Sequence, residues 1–194
     1  MRKDFYIFRH GETDLNRQKR WQGSGMDYDL NEAGVRQAED LWVKLQDKKL
    51  EAVFSSPLVR AKHTADVVAG KLEIPVLVRD NLKECFYGDA EGVLVSELAV
   101  KYPEILNNWY RPEEKYLNIR FPGGEGKKEA RDRVLHELEK LTAEPYRVMG
   151  VAIHGGTMGQ LLNYFNVPYE TIPNCAAFHL VFEDGVFSAA GSLF

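Results

Sequence analysis

The stretch Phe5-Tyr6-Ile7-Phe8-Arg9-His10-Gly11-Glu12-Thr13 runs an apolar strand straight into an arginine, a histidine and a glycine. A similar strand end recurs far downstream, as Val148 to Ile153 followed by His154-Gly155-Gly156. In an open α/β sheet, ligands bind in the crevice outside the carboxyl ends of the strands. The two histidines and Arg9 are therefore expected to converge there around an anion.

Working outward, Asn31 is a good N-cap for a helix whose apolar residues Val35, Ala38, Leu41, Trp42 and Leu45 recur at helical spacing. Leu30 and Val35 stand where a hydrophobic staple forms. Ala52 to Phe54 reads as a short buried strand. Ser56 is then expected to cap a second helix, with Pro57 at its first position and Arg60 in its first turn. A cation there is opposed by the helix dipole unless an anion is present. Ile74 to Val78 predicts another strand, and Asn81 to Gly92 a functional loop. Val95 to Tyr110 predicts a helix broken at Pro103. Asn108 to Gly124 mixes aromatic, charged, proline and glycine residues, and reads as a lid or insertion. A helix over Lys127 to Thr142, a strand over Arg147 to His154 and a helix over Thr157 to Phe165 follow. The C-terminal region predicts a hairpin, Ala176 to Phe182 and Val186 to Ala190, turning at Asp184-Gly185. Alternating strands and helices predict an α/β fold with a mainly parallel sheet, made mixed by the hairpin.

A chain of 194 residues with 44% hydrophobic and 28% charged residues has the length and composition of one globular domain with an ordinary core. The expected organisation is one domain over residues 1–194, with about 93–124 as the insertion. The net charge of -4 argues against nucleic acid as a partner, but not against a small anion held by local arginines. Cys85 and Cys175 form no CxxC pattern and read as small buried hydrophobes in a reducing compartment. The N-terminal apolar run is too short for a signal peptide or a membrane span, so a cytoplasmic location without membrane partners is expected.

The chemistry-bearing residues form a coherent set. A neutral imidazole is a competent nucleophile toward phosphorus, and a phosphohistidine splits one hard hydrolysis into two displacements. Such a site needs a histidine in one tautomer, cations around the phosphoryl oxygens and an acid for the leaving oxygen. His10, Arg9, Arg60, His154 and Glu84 supply these in turn. Arginine forks suit phosphate. Gly11 and Gly155 allow close backbone approach, and the free N–H groups of a helix opening at Gly156-Thr157 favour an anion. A histidine metal site lacks a third ligand at sensible spacing, so neither metal nor cofactor is expected.

Six blocks in order carry a family resemblance across roughly the whole chain. They are Arg9 to Thr13 with Asn16; Leu30-Asn31-Glu32 with Gly34 and Gln37-Ala38; and Ser55 to Leu58 with Arg60-Ala61 and Thr64-Ala65. Then come Leu82-Lys83-Glu84 with Gly88 and Glu91-Gly92; Pro122 to Glu125; and His154-Gly155-Gly156. Together they resemble the histidine phosphatase superfamily, which includes the cofactor-dependent phosphoglycerate mutases. The resemblance implies a three-layer α/β/α fold. It implies His10 as phosphate acceptor, with Arg9, Arg60 and His154 as the phosphate pocket and Glu84 as proton carrier. Asn16 and Gln22-Gly23 match positions that touch phosphate or substrate.

Three departures stand out. Ser24 to Asp29 lengthens the path after Gly23 and is expected to reshape the entrance. Gly126 replaces a usual serine, and Cys85 is an unusual neighbour of Glu84. The short path from Glu84 to His154, the end of the sequence at Phe194, Gln22-Gly23 and Phe86-Tyr87-Gly88 resemble the phosphatase branch more than the mutases. The expected activity is metal-independent phosphomonoester hydrolysis on small phosphorylated metabolites. The alternatives are mutase-type phosphoryl transfer and a non-catalytic phosphate-binding module. Trp109, Tyr110, Arg111, Tyr116, Arg120 and Phe121 fall in the expected lid, whose two arginines would contact a second acidic group of the substrate. His63, His136 and His179 lack such contexts and read as structural. A homodimer is left open.

Overall fold

A computed structural model of the chain describes residues 1–192 and 194. Strands β1 (Lys3–Arg9), β2 (Ala52–Ser55), β3 (Val76–Val78), β4 (Val148–Ile153), β5 (Ala177–Glu183) and β6 (Val186–Ala189) form one sheet in the order β3-β2-β4-β1-β5-β6. The first four run parallel; β5 pairs antiparallel with β1, and β6 antiparallel with β5 at the sheet edge. This is the mixed, mainly parallel sheet expected from the sequence.

Period-two alternation sorts the side chains of the central strands. Phe5 and Ile7 of β1, with Met149, Val151 and Ile153 of β4, point to one face. There they pack on helices α6 (Lys127–Leu141) and α7 (Gly155–Tyr164) through Val134, Leu138, Met158 and Leu161. Phe8 of β1 and Ala152 of β4 point to the other face. They meet Ala38, Leu41 and Leu45 of α2 (Glu32–Leu45) and Ala65 and Val68 of α3 (Val59–Leu72). Covering both faces with helices is what near-continuous apolar strands require. The short α1 (Asp14–Arg17) follows β1 and is capped by Thr13.

Residues 93–124 carry α4 (Val95–Lys101) and α5 (Pro103–Asn108), separated at Tyr102-Pro103 as the proline predicts. This segment has its own small core, in which Leu98, Trp109 and Phe121 bury against Tyr87, Cys85 and Ala130. Lys127, read only as the first residue of a helix, is fully buried. Its Nζ donates to the carbonyls of Asn108 (3.0 Å) and Arg111 (2.8 Å), fastening the segment to α6. Burial pushes this ammonium down to about 8.

The structure corrects three local expectations. The α3 N-cap is Leu58, not Ser56, and the first helical residue is Val59, not Pro57. Asp27 from the lengthened loop accepts the Val59 N–H at 2.7 Å and serves that helix end. β3 starts at Val76 instead of Ile74, since Pro75 brings no N–H to a ladder. Helix α7 opens at Gly155, directly after His154.

Candidate active site

Pairing β1 with β4 in parallel sets Arg9 opposite Ile153, so the two strands deliver His10 and His154 side by side. The His10 N–H continues the ladder to the Ile153 carbonyl at 3.0 Å, and the imidazole centroids lie 5.3 Å apart. Both rings are buried. The turn after His10 is pressed against the start of α2. A Cβ on Gly11 would lie 2.4 Å from the Gly34 carbonyl oxygen, so no larger residue fits without moving backbone.

His10 Nδ1 donates to the Gly11 carbonyl at 2.7 Å. A carbonyl cannot donate, so this bond puts the proton on Nδ1 and the lone pair on Nε2. Burial, then Arg60, then Arg9, hold the His10 pKa well below the usual imidazole value, and the bond to Gly11 opposes them weakly. The ring is therefore neutral at ordinary pH. Burial, then Arg60, His10 and Arg9, depress His154 in the same way.

The tautomer of His154 follows from a proton count. Ser56 Oγ accepts the Leu58 N–H at 3.2 Å and lies 2.8 Å from His154 Nε2. Ser56 is fully buried and its hydroxyl proton has no other acceptor among the described residues, which assigns that proton to Nε2. The His154 proton then sits on Nδ1, which is buried without an acceptor. Arg9 Nε and Arg60 Nε are likewise buried donors without acceptors. Three such orphans around one histidine are unusual in a folded protein and point to an anion as their natural partner.

Arg60 is fully buried at the start of α3, so its charge is not solvated. Its Nη1 and Nη2 donate to the carbonyls of Met26 (2.8 Å) and Gly23 (3.1 Å), so it also pins the lengthened loop. Burial lowers its pKa to about 10, still charged at neutral pH. Glu84 is buried too, not a surface carboxylate. Its Oε2 accepts from Gly156 N (2.8 Å), and its Oε1 accepts from Thr157 N (3.0 Å) and Cys85 N (2.9 Å). The N–H groups expected to hold an external anion at the start of α7 are thus taken by the Glu84 carboxyl group. Burial raises the Glu84 pKa against these three N–H bonds and the charge of Arg60. Gly156 is required here, because a Cβ would stand 1.9 Å from the Tyr87 hydroxyl and 2.8 Å from Glu84 Oε1.

A cavity of about 360 Å³ opens onto this cluster. Of the residues singled out from the sequence, Arg9, His10, Asn16, Gln22, Glu84 and Gly155 line it. Arg60 and His154 back it from the buried side. Gly11 and Gly23 do not line it; Gly11 orients His10, and Gly23 offers its carbonyl to Arg60. The lengthened loop 24–29 also stays out of the wall. Arg111 and Arg120 do not reach the cavity and pair instead with Glu113 and Glu129; only Tyr110 of the expected lid contributes. Sequence reasoning missed Arg20, Tyr87 and the wall from Tyr169 to Ile172. Arg20 and Tyr87 adjoin recognised blocks, whereas 169–172 carries no local signal.

A carboxylate and two imidazoles flanked by arginines at parallel strand ends define a protein built for phosphoryl chemistry. The chain belongs to the histidine phosphatase superfamily (branch 1), whose sequence profile matches residues 5–190. It is 35% identical over 157 residues to an uncharacterized phosphatase, PhoE, of Bacillus subtilis, covering 80% of this chain and 74% of that one. It is also 35% identical over 135 residues to phosphoserine phosphatase 1 of Hydrogenobacter thermophilus, covering 70% of this chain and 62% of the other. A mycobacterial glucosyl-3-phosphoglycerate phosphatase shares the fold at a TM-score of 0.86 and 23% identity, with 98% of each chain covered.

Proposed function

We propose that the protein is a phosphomonoesterase that works through a phosphohistidine on His10. The observation that carries the reading is the neutral His10 Nε2 lone pair beside three buried donors lacking acceptors. Nε2 attacks phosphorus in line, and the P–O ester bond breaks. Glu84 gives its proton to the departing oxygen. Water then attacks the phosphohistidine, Glu84 takes its proton, and phosphate leaves with His10 neutral again. Arg9, Arg60 and His154 Nδ1–H hold the equatorial oxygens throughout. Asn16, Gln22 and Gly155 contact the ester from the cavity wall, to which Tyr110 of the 93–124 segment also contributes. No step requires a metal. The phosphatase names among the relatives support hydrolysis of small phosphorylated molecules.

Chelator-treated protein is expected to hydrolyse p-nitrophenyl phosphate and, when quenched during turnover, to carry an acid-labile, base-stable phosphoryl label. Strict dependence on magnesium would overturn the scheme. A label without release of phosphate would favour the mutase-type alternative.

Ser56 gives a second prediction, because it fixes the His154 tautomer. Ser56→Ala is expected to lower kcat/KM about 10-fold, with Ser56→Thr recovering most of it. Nitrogen-15 spectra of the wild type should show a protonated His154 Nδ1 and an unprotonated Nε2. The opposite tautomer would refute this role.

A further inference from the structure

The arginines of this chain divide by whether they have a carboxylate partner. From Arg2 on Asp4 to Arg133 on Glu125, most do. Among the described residues only Arg9, Arg20, Arg60 and Arg147 have none. Arg147 is exposed on the surface. The other three surround one cavity: Arg9 and Arg20 line it, and Arg60 backs it. A guanidinium does not shed its proton at working pH, and taking it out of water without a counter-charge is unfavourable. Partnerless arginines gathered at one cavity mark where a ligand's negative charge lies.

Arg9 and Arg60 are accounted for by the transferring phosphoryl group, since they are the cations that act on His10. Arg20 is not among them, yet it lines the same cavity. It is held in place: Nη1 donates to the Gly92 carbonyl at 2.6 Å and Nε to Gln18 Oε1 at 3.3 Å. These two bonds fix the guanidinium and leave Nη2 unused. Besides Arg9, Arg20 and Glu84, the charged residue in the lining is Glu170, exposed and without a cation partner among the described residues. It repels negative charge, which leaves Arg20 as the one lining cation besides Arg9 among the described residues. Tyr110 and Tyr169 line the same cavity.

We propose that Arg20 recognises a second acidic group on the substrate. The protein then selects small phosphomonoesters that carry a carboxylate or a second phosphate a few bonds from the scissile ester. The inference rests on the phosphatase reading, and it moves the second cation from the lid, where Arg111 and Arg120 are paired elsewhere, to the segment after α1.

Three probes share one carbon skeleton: glycerol 3-phosphate, 3-phosphoglycerate and glycerol 1,3-bisphosphate. They differ only in the group at the far carbon. In wild type, kcat/KM is expected to be roughly 10- to 100-fold higher for at least one acidic probe than for glycerol 3-phosphate. Which acidic probe wins distinguishes a carboxylate from a phosphate. Arg20→Gln is expected to collapse that ratio, mainly through KM, and Arg20→Lys to restore part of it. A wild-type ratio near one overturns the proposal without any variant, as does a ratio unchanged in a folded Arg20→Gln protein. Either result leaves the phosphatase reading standing, because turnover of glycerol 3-phosphate tests that separately. No turnover of any probe or of p-nitrophenyl phosphate would sink both.

Discussion

His10→Ala is expected to lower turnover of any phosphomonoester by about four orders of magnitude or more and to abolish the acid-labile label, while the protein stays folded. The size follows from the division of labour in the site. Removing a nucleophile removes the whole two-step route, and what remains is the catalysis that positioning and charge can give to direct attack by water. The fold should tolerate the change. The ring makes one side-chain hydrogen bond, to the adjacent Gly11 carbonyl, and the strand ladder at this point uses the His10 backbone N–H. Truncation even relieves an unfavourable arrangement, since burial and the charges of Arg60 and Arg9 all press on the imidazole. Phosphate affinity is therefore expected to survive, held by Arg9, Arg60 and His154. The checks are steady-state kinetics, label after quench, and phosphate binding by calorimetry on the same preparation. Retained labelling in His10→Ala would move the nucleophile to another residue.

The pH dependence follows with a definite sign. The reactive form is the neutral ring, and the folded pKa lies well below the usual value. Free His10 therefore stays neutral as pH falls through 6.5, and loss of kcat/KM from its protonation comes only at more acid pH. A limb centred near 6.5 and assigned to His10 would contradict the buried, arginine-flanked setting.

What the sequence disclosed, it disclosed through local rules. Alternation in Phe5 to Phe8 and Val148 to Ile153 set the two central strands, and Asn31 marked the start of α2, where its side chain accepts the Gly34 N–H. Pro103 divided α4 from α5. The convergence of His10 and His154 was legible because parallel strands carry their C-terminal residues to one edge. What stayed hidden depends on contacts across long sequence distances. Ser56 looks like a cap, and the residue that reaches the end of α3 is Asp27 of a loop 32 positions earlier. Nothing local says that Ser56 instead faces His154, 98 positions away. Arg111 and Arg120 looked functional because they stand among aromatics; the structure spends their charges on Glu113 and Glu129. Arg20 looked ordinary because the absence of a carboxylate partner is a property of the folded molecule.

Glu84→Gln is expected to lower kcat/KM about 100- to 1000-fold for an alkyl phosphate and much less for p-nitrophenyl phosphate. The difference arises from the leaving group. An alkoxide needs a proton as the P–O bond breaks, whereas p-nitrophenolate departs without one. The carboxyl is suited to hold that proton, because burial raises its pKa and a raised pKa enlarges the protonated fraction at a given pH. The same residue serves the second step as base, so the variant should release phosphate from His10 slowly. With p-nitrophenyl phosphate it is then expected to show a burst of nitrophenolate followed by a slow steady state, with label accumulating on His10. Glutamine can keep one oxygen on the α7 N–H groups, but its amide nitrogen cannot accept from Gly156 or Thr157. Some loss of stability is expected, and a thermal melt separates it from the kinetic effect. Equal losses on both esters, with no burst and no accumulated label, would show that Glu84 acts as an anchor at the start of α7 and that the proton comes from elsewhere.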